Sequence, residues 1–256
     1  MNRARSFSQP STLEQARARI ATARVVLCDV DGCLVESEAP CPGAIDFVAR
    51  MGERLRLVTN NSTDVAATLS ARLAAIGLDV PAERCFLAGE LATEHVARHY
   101  SGARVMILAT AAIRAEAARR GLEVASVQPD VVLLCNDPAF DAGHLQRVVD
   151  AAHHGVPIIV ANPDRWRPDR SGRPLIETGA FLAALRAAVP HAAVTVVGKP
   201  EPTIFHAALA GIDPRDAVMI GDNHETDLVG AEAIGTMGIQ IGRGARAVAA
   251  DLNALR

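Results

Sequence analysis

The stretch Arg24-Val-Val-Leu-Cys-Asp29-Val-Asp31-Gly32-Cys-Leu34 sets the frame for the whole chain. Val25-Val26-Leu27 is a short apolar, β-branched run and reads as a buried strand. It leads into Asp29 and, one apolar residue later, Asp31. Side chains alternate along a strand, so two carboxylates two residues apart face the same side at its end. Gly32 lets the chain turn sharply away. Like charges held together need a cation or a shared proton. The pair therefore asks for a metal, a proton-transfer role or both. The plain alternative is a solvated polar turn, where Asp and Gly are ordinary residues.

Outward from this stretch, strand and helix patterns alternate. A helix over 11–22, with Ser11 as its cap, precedes the first strand, and an irregular loop over 33–42 follows it. Then come a helix at 44–51, a strand at 55–59, a helix at 64–76, a strand from Cys85 and a helix at 90–100. A second series follows: strand 104–108, helix 111–120, strands near 122–126 and 130–135, helix 141–152 and strand 157–161. A Pro/Arg/Asp-rich loop spans 162–174, and a helix covers 179–188. The pattern closes with strand 193–197, helix 202–210, strand 217–220, helix 225–234, strand 236–241 and a terminal helix from 246. This alternation predicts an α/β fold with a mostly parallel, doubly wound sheet covered on both faces.

Bulk composition narrows the class. At 256 residues the chain suits one large domain or two modest ones. Half of it is hydrophobic but only 3% aromatic, so the core must be built from Ala, Val, Leu and Ile. A net charge of −3 without a basic stripe argues against nucleic acid as a partner. No apolar run approaches the ~20 residues that span a bilayer, so no membrane association is expected. Met1–Ser8 lacks the apolar centre of a signal peptide. Five cysteines, odd in number and without a CxxC pair, make a disulfide framework or a zinc knuckle an unsuitable reading. The expectation is a reduced, soluble, cytoplasmic protein. Arginine outnumbers lysine 25 to one, and the single lysine is Lys199. A site needing a compact point charge can resist replacement by the planar guanidinium.

In open sheets of this kind ligands sit beyond the carboxyl ends of the strands. Strand one ends in Asp29 and Asp31, and strand two in the hydroxyl of Thr59 and the amide of Asn60. Val194–Val197 ends in Gly198-Lys199-Pro200, and Ala217–Ile220 in Gly221-Asp222-Asn223-His-Glu-Thr-Asp227. A hard cation such as Mg2+ takes carboxylate oxygens, waters and substrate phosphate, and Asp29 and Asp222 can supply the carboxylates. A carboxylate beside it can attack phosphorus, while a second acid protonates the leaving oxygen. Thr59, Asn60, nearby backbone N–H groups and Lys199 are suited to bind phosphoryl oxygens.

Asp29-Val-Asp31-Gly32, Thr59-Asn60-Asn61-Ser62, Gly198-Lys199-Pro200 and Gly221-Asp222-x4-Asp227 resemble, in order, the four motifs of the haloacid dehalogenase-like phosphatase superfamily. The resemblance implies Asp29 as nucleophile, Asp31 as general acid/base, and Thr59 and Lys199 as phosphate ligands. It also implies Mg2+ held by Asp29, the Asp31 main-chain carbonyl and Asp222, with Asp227 and the adjoining Asn223 in support. Thr59 follows Asp31 by only 28 positions, whereas Gly198 follows Ser62 by 136. The extra α/β series therefore resembles a cap inserted between the second and third motifs, as in the class II phosphatases that act on nitrophenyl, pyridoxal and glycolate phosphates. The expected architecture is a Rossmann-like core over 1–101 and 190–256 with an inserted α/β cap domain over 102–189. By position, Asp137, Asn162 and Asp164 fall at cap strand ends and are candidates to face the substrate, although Asn162-Pro-Asp164 is also a good turn sequence. Two departures bear on the cap side. Residues 88–90 read Ala-Gly-Glu where relatives have a Thr/Ser-Ser pair, and Cys135-Asn-Asp137 replaces a glycine-containing turn.

The functional expectation is a Mg2+-dependent phosphomonoesterase acting on a small phosphorylated metabolite through an aspartyl-phosphate. The alternatives are a phosphotransferase or mutase using the same intermediate, and a non-catalytic phosphate-binding regulator. A homodimer is left open. Other signals carry less. Gly242-Arg-Gly244-Ala-Arg-Ala247 fits a dinucleotide-binding pattern, but too little chain follows for the second strand, so it reads as a turn. His224-Glu225 lacks the second histidine of a zinc motif. His153-His154 suits a helix end. Trp166 reads either as a ring platform or as cover for the core. Cys28 and Cys33 flank the two carboxylates, either as small buried hydrophobes or as an oxidation-sensitive pair.

Overall fold

The structure, a computed structural model, describes residues 10–169 and 171–256. The N-terminal segment read for a signal peptide, and Arg170 within the 162–174 loop, lie outside the described residues. Helix α1 (Leu13–Thr22) starts one residue later than expected, and its cap is Thr12, whose hydroxyl accepts from Gln15 N at 3.2 Å. Strand β1 (Val25–Cys28) follows, no residue of it more than 2% exposed. The 33–42 segment is not irregular throughout. It contains a hairpin of β2 (Val35–Glu36) and β3 (Ala39–Pro40), turned through Ser37 and Glu38 at φ 51° and 70°. Such turns usually announce themselves with Asn or Gly, and neither is present. The chain continues through α2 (Ala44–Met51), β4 (Leu55–Thr59), α3 (Ala66–Ala74), β5 (Cys85–Leu87) and α4 (Ala88–His99).

The second series comprises β6 (Arg104–Leu108), α5 (Ala111–Arg119), β7 (Glu123–Val124), β8 (Val131–Leu134), α6 (Ala142–His153) and β9 (Ile158–Val160). The 162–174 loop gives rise to an antiparallel ribbon, β10 (Trp166–Pro168) with β11 (Pro174–Ile176). Every residue of these two strands is exposed, so no alternation of burial marked them in the sequence. Then follow α7 (Thr178–Ala188), β12 (Val194–Val196), α8 (Pro202–Leu209), β13 (Ala217–Gly221), α9 (Val229–Ala233) and β14 (Met237–Gln240). No long terminal helix forms. Gly242 N donates to Ala249 O and Val248 N to Gln240 O, folding the tail back, and only a single 3-10 turn over Leu252–Leu255 remains.

Two five-stranded sheets result, in the orders β14-β13-β1-β4-β5 and β12-β9-β8-β6-β7. The second is parallel throughout, as are the β1–β13, β1–β4 and β13–β14 pairs of the first. Strand order in the first sheet reverses between β1 and β13, and in the second between β6 and β8. Such switch points leave a crevice beyond the strand ends. β12 pairs with β9 in the second sheet, so the strand that precedes Lys199 does not lie in the sheet of β1 as the strand-end reading had assumed.

The chain divides into two compact units. Among the described residues, one takes in the chain from Pro10 to Thr59, with Leu69–Phe86 and Lys199–Arg256, and the other Asn60–Thr68 with Leu87–Gly198. In the second unit Met106, Leu108, Val132, Leu134, Val148, Leu182 and Leu185 form an apolar core, flanked by Phe140 stacked on Phe181 at 3.9 Å. No described helix is long and apolar enough to cross a membrane.

Candidate active site

Asp29 and Asp222 follow directly on β1 and β13, the two strands at the switch point of the first sheet. Carboxylate oxygens of Asp29, Asp222 and Asp227 lie within 4.8 Å of one another. Among them sits the Lys199 ammonium, 2.7 Å from Asp29 Oδ1 and 2.6 Å from Asp227 Oδ1, on a side chain only 2% exposed. The chain's one lysine is thus the buried cation of this cluster. Burial works against its charge, but Asp227 and Asp29 outweigh burial and hold it well above the ordinary lysine range.

One ammonium does not balance three carboxylates. Burial first, and then the Asp29 charge, push Asp222 up to about 6, with Lys199 opposing. Asp227, fully buried, is raised for the same reasons and in the same order. Burial disfavours the charged acids, and the neighbouring carboxylates add like-charge repulsion that one ammonium does not cancel. A divalent cation on Asp29 and Asp222 fits that deficit, and oxygen donors of this kind suit Mg2+ or Ca2+.

Local geometry explains the glycines of the motifs. Gly32 has φ +78°, and a Cβ there would overlap the Asp222 carboxylate. Only glycine satisfies both conditions. A Cβ on Gly221 would overlap the Asp227 carboxylate, so this glycine makes room for the acid that anchors Lys199. Val30 N donates to Asp29 Oδ1 at 2.7 Å, while Val30 O accepts from Leu34 N and Val35 N, winding the loop after β1 into one tight turn. The helix expected over 225–234 forms, but its first turn, His224–Leu228, which holds Asp227, is π-helical before α9 continues it. Such turns concentrate at functional sites.

The remaining predicted residues are placed as follows. Asp31 is exposed, two residues past Asp29, while Thr59 is buried at the end of β4, the neighbour of β1. Asn223 donates its main-chain N–H to Asp227 Oδ2 at 3.1 Å. Asn60 belongs to the second unit, where its amide donates to Asp164 Oδ2 at 2.9 Å. Asn162 Nδ2 donates to Asn60 O at 2.7 Å and to Ser62 Oγ at 3.2 Å. Asp137 does not join them. It pairs with Arg114 at 3.0 Å and accepts from Ala139 N.

The sequence reading missed the rest of this second network. Ser62 Oγ meets Thr178 Oγ1 and accepts from Asn136 N, and the Asn136 amide donates to Glu177, which pairs with Arg167. Ser62 had been noticed only as the end of a motif. Also missed was Gln240, whose signal was a polar residue in an apolar strand. Cys28 and Cys33 are fully buried with sulfurs 3.7 Å apart, and the Cys28 contact and burial raise Cys33 well above the usual thiol range. That favours the small buried hydrophobe over the reactive thiol. His224 accepts from Arg246, and the Gly242–Ala247 stretch is a turn.

Comparison with known proteins places the chain in a family. A family model described as haloacid dehalogenase-like hydrolase matches residues 26–123, and a second model of the same kind matches 196–254. The ribonucleotide monophosphatase NagD of Escherichia coli K12 is 28% identical over 213 residues, covering 81% of this chain and 83% of its own. Chronophin of Mus musculus is 31% identical, covering 82% of this chain and 77% of its own. The solved glycerol phosphate phosphatase of Mycobacterium tuberculosis in complex with magnesium is 29% identical, with a TM-score of 0.80 over 88% of this chain and 70% of that one. The same enzyme in complex with calcium gives 28% and 0.82, over 93% and 76%. The chain belongs to the haloacid dehalogenase-like hydrolase family, and it is an enzyme of the phosphatase kind.

Proposed function

We propose that this protein is a Mg2+-dependent phosphomonoesterase that hydrolyses a small phosphorylated metabolite through an aspartyl-phosphate on Asp29. The observation that carries the reading is the charge deficit: three clustered carboxylates against one buried ammonium. Asp29, Asp222 and the Asp31 carbonyl are the groups that would hold Mg2+. When bound it supplies the positive charge that the cluster lacks and that a phosphoryl group needs.

Lys199 and Val30 N–H both engage Asp29 Oδ1. Oδ2 is then the attacking oxygen. It forms the bond to phosphorus as the ester P–O bond breaks, and the departing alkoxide takes a proton from Asp31. Asp31, now a carboxylate, withdraws a proton from water. That water attacks phosphorus, releases orthophosphate and restores Asp29. Thr59 and Lys199 hold the phosphoryl oxygens, Asp227 keeps Lys199 in position, and Asn223 keeps Asp227 in position.

The α/β insert over 102–189 serves in this reading as the cap that selects substrate, with Asp137, Asn162 and Asp164 among the residues to test. Ribonucleotide monophosphates and glycerol phosphate, named for the relatives above, are the first substrates to try. The deciding measurement is phosphate release from a generic phosphoester with Mg2+. Activity in the wild type that vanishes in Asp29→Asn supports the mechanism, and activity retained in that variant sinks it.

A further inference from the structure

The dinucleotide-like stretch Gly242-Arg-Gly244-Ala-Arg246-Ala247 has no place in the phosphatase chemistry, yet the structure brings it against the metal-binding segment. Gly242, at φ +91°, places its α-carbon beside Asp222, and a Cβ there would lie 3.7 Å from Asp222 Cβ. Gln240, the last residue of β14, turns its amide inward and is 6% exposed. Its Nε2 donates to the main-chain carbonyl of Asp222 at 3.1 Å. Its Oε1 has no partner among the described residues, an arrangement that costs stability rather than adding to it. Gly244 passes directly over this amide, so closely that a Cβ would overlap Nε2. Two positions on, Arg246 Nη1 donates to His224 Nε2 at 3.0 Å.

These contacts converge on one peptide unit. The Asp222–Asn223 peptide has its carbonyl held by Gln240 and its N–H held by Asp227 Oδ2 at 3.1 Å. A peptide plane fixed at both ends fixes the direction in which the Asp222 side chain leaves the backbone. Arg246 on His224 steadies the residue beyond. Groups that orient metal ligands in this way typically change metal affinity 10–100-fold when removed.

We propose that Gln240 is a positioning residue for Asp222, and that the Gly242–Arg246 loop closes over Gln240 to hold it there. This rests on the reading of Asp222 as a metal ligand. A buried glutamine with an orphaned acceptor is otherwise a poor choice for the end of an apolar strand. The two glycines are accounted for: Gly242 by its φ, Gly244 by the amide beneath it.

The test measures Mg2+ binding by titration calorimetry on the whole protein, for the wild type, Gln240→Leu, Gly244→Ala and Arg246→Ala. Gln240→Leu removes the donor. Gly244→Ala leaves Gln240 in place but pushes its amide off the Asp222 carbonyl, and because Gly244 is exposed this variant reports even if Gln240→Leu fails to fold. The expected result is a Mg2+ Kd raised about tenfold in Gln240→Leu, and raised in the same direction by less in the other two. Saturating Mg2+ should return kcat close to wild type, which a general loss of structure would not allow. Wild-type Kd in both Gln240→Leu and Gly244→Ala overturns the proposal alone. A wild-type protein that takes up no Mg2+ overturns the reading of the site, and this inference with it.

Discussion

The two five-stranded sheets share an architecture but treat charge at their switch points in opposite ways. Beyond β1 and β13, Asp29, Asp222 and Asp227 gather around the Lys199 ammonium, which answers only part of their negative charge among the described residues. In the second unit the named polar groups pair with one another, while burial still raises Glu177 above the ordinary carboxylate range. Asp137 meets Arg114, Glu177 meets Arg167 and Asn136, and Ser62 meets Thr178 and Asn162. A crevice whose polar groups are paired is a rigid scaffold, because breaking it leaves buried partners unsatisfied. A crevice left short of charge is prepared to receive it. The same strand topology thus carries an acidic cluster short of positive charge in one unit and a paired polar network in the other.

The contrast breaks most sharply at Asp29. Asp29→Asn should lower phosphate release at least ~10^4-fold, the scale on which removing a nucleophile acts, while a folded protein persists by circular dichroism. Lys199→Met is next. Three carboxylates would then share a buried cluster without a cation, and urea unfolding of the metal-free protein should lose about 3–5 kcal/mol, as when one partner of a buried ion pair is removed. Mg2+ should restore part of that loss, since it answers the same deficit.

A pH effect follows from Asp222. Its carboxyl is raised from 3.8 to about 6 in the folded protein. The metal-free fold therefore holds a proton more tightly than the unfolded chain does. That contribution to stability is fully present below about pH 4 and is lost as pH rises through 6. On the proposed reading, bound Mg2+ should take the place of the proton. Its stabilisation, about 2.7 kcal/mol at a hundredfold excess over Kd, should raise Tm clearly at pH 7.5 and much less at pH 5. An equal shift at both values would show that Asp222 does not titrate with the metal. The smallest effect is expected in the second unit. Ser62→Ala should cost about 1–3 kcal/mol by orphaning Asn136 N–H, with turnover of a small generic phosphoester unchanged. If turnover falls as steeply as in Lys199→Met, the distinction between the two crevices fails.

By itself the sequence determined the alternation of strands and helices, the four strand ends that bear ionisable or hydrogen-bonding groups, and the address of the only lysine. These are local properties: apolar runs of strand length, glycines before turns, carboxylates at fixed spacing. It misread places where distant groups decide the local outcome. The hairpin turn at Ser37-Glu38 takes positive φ without a residue that advertises it. β10 and β11 pair on a fully exposed ribbon without periodic burial. Residues 242–249 fold back on Gln240 instead of starting a helix. β12 joins the second sheet because its pairing partner is β9, a choice made by strand contacts 36 positions away in Val194 and Ile158. Only the tertiary structure could show that Asp227 anchors Lys199, that Gly32 makes room for Asp222, and that Gln240 holds the Asp222 peptide. Each of these joins residues far apart in the chain, and the physical reason lies in burial: a charge or an amide removed from water must find its partner in space, wherever the chain happens to supply one.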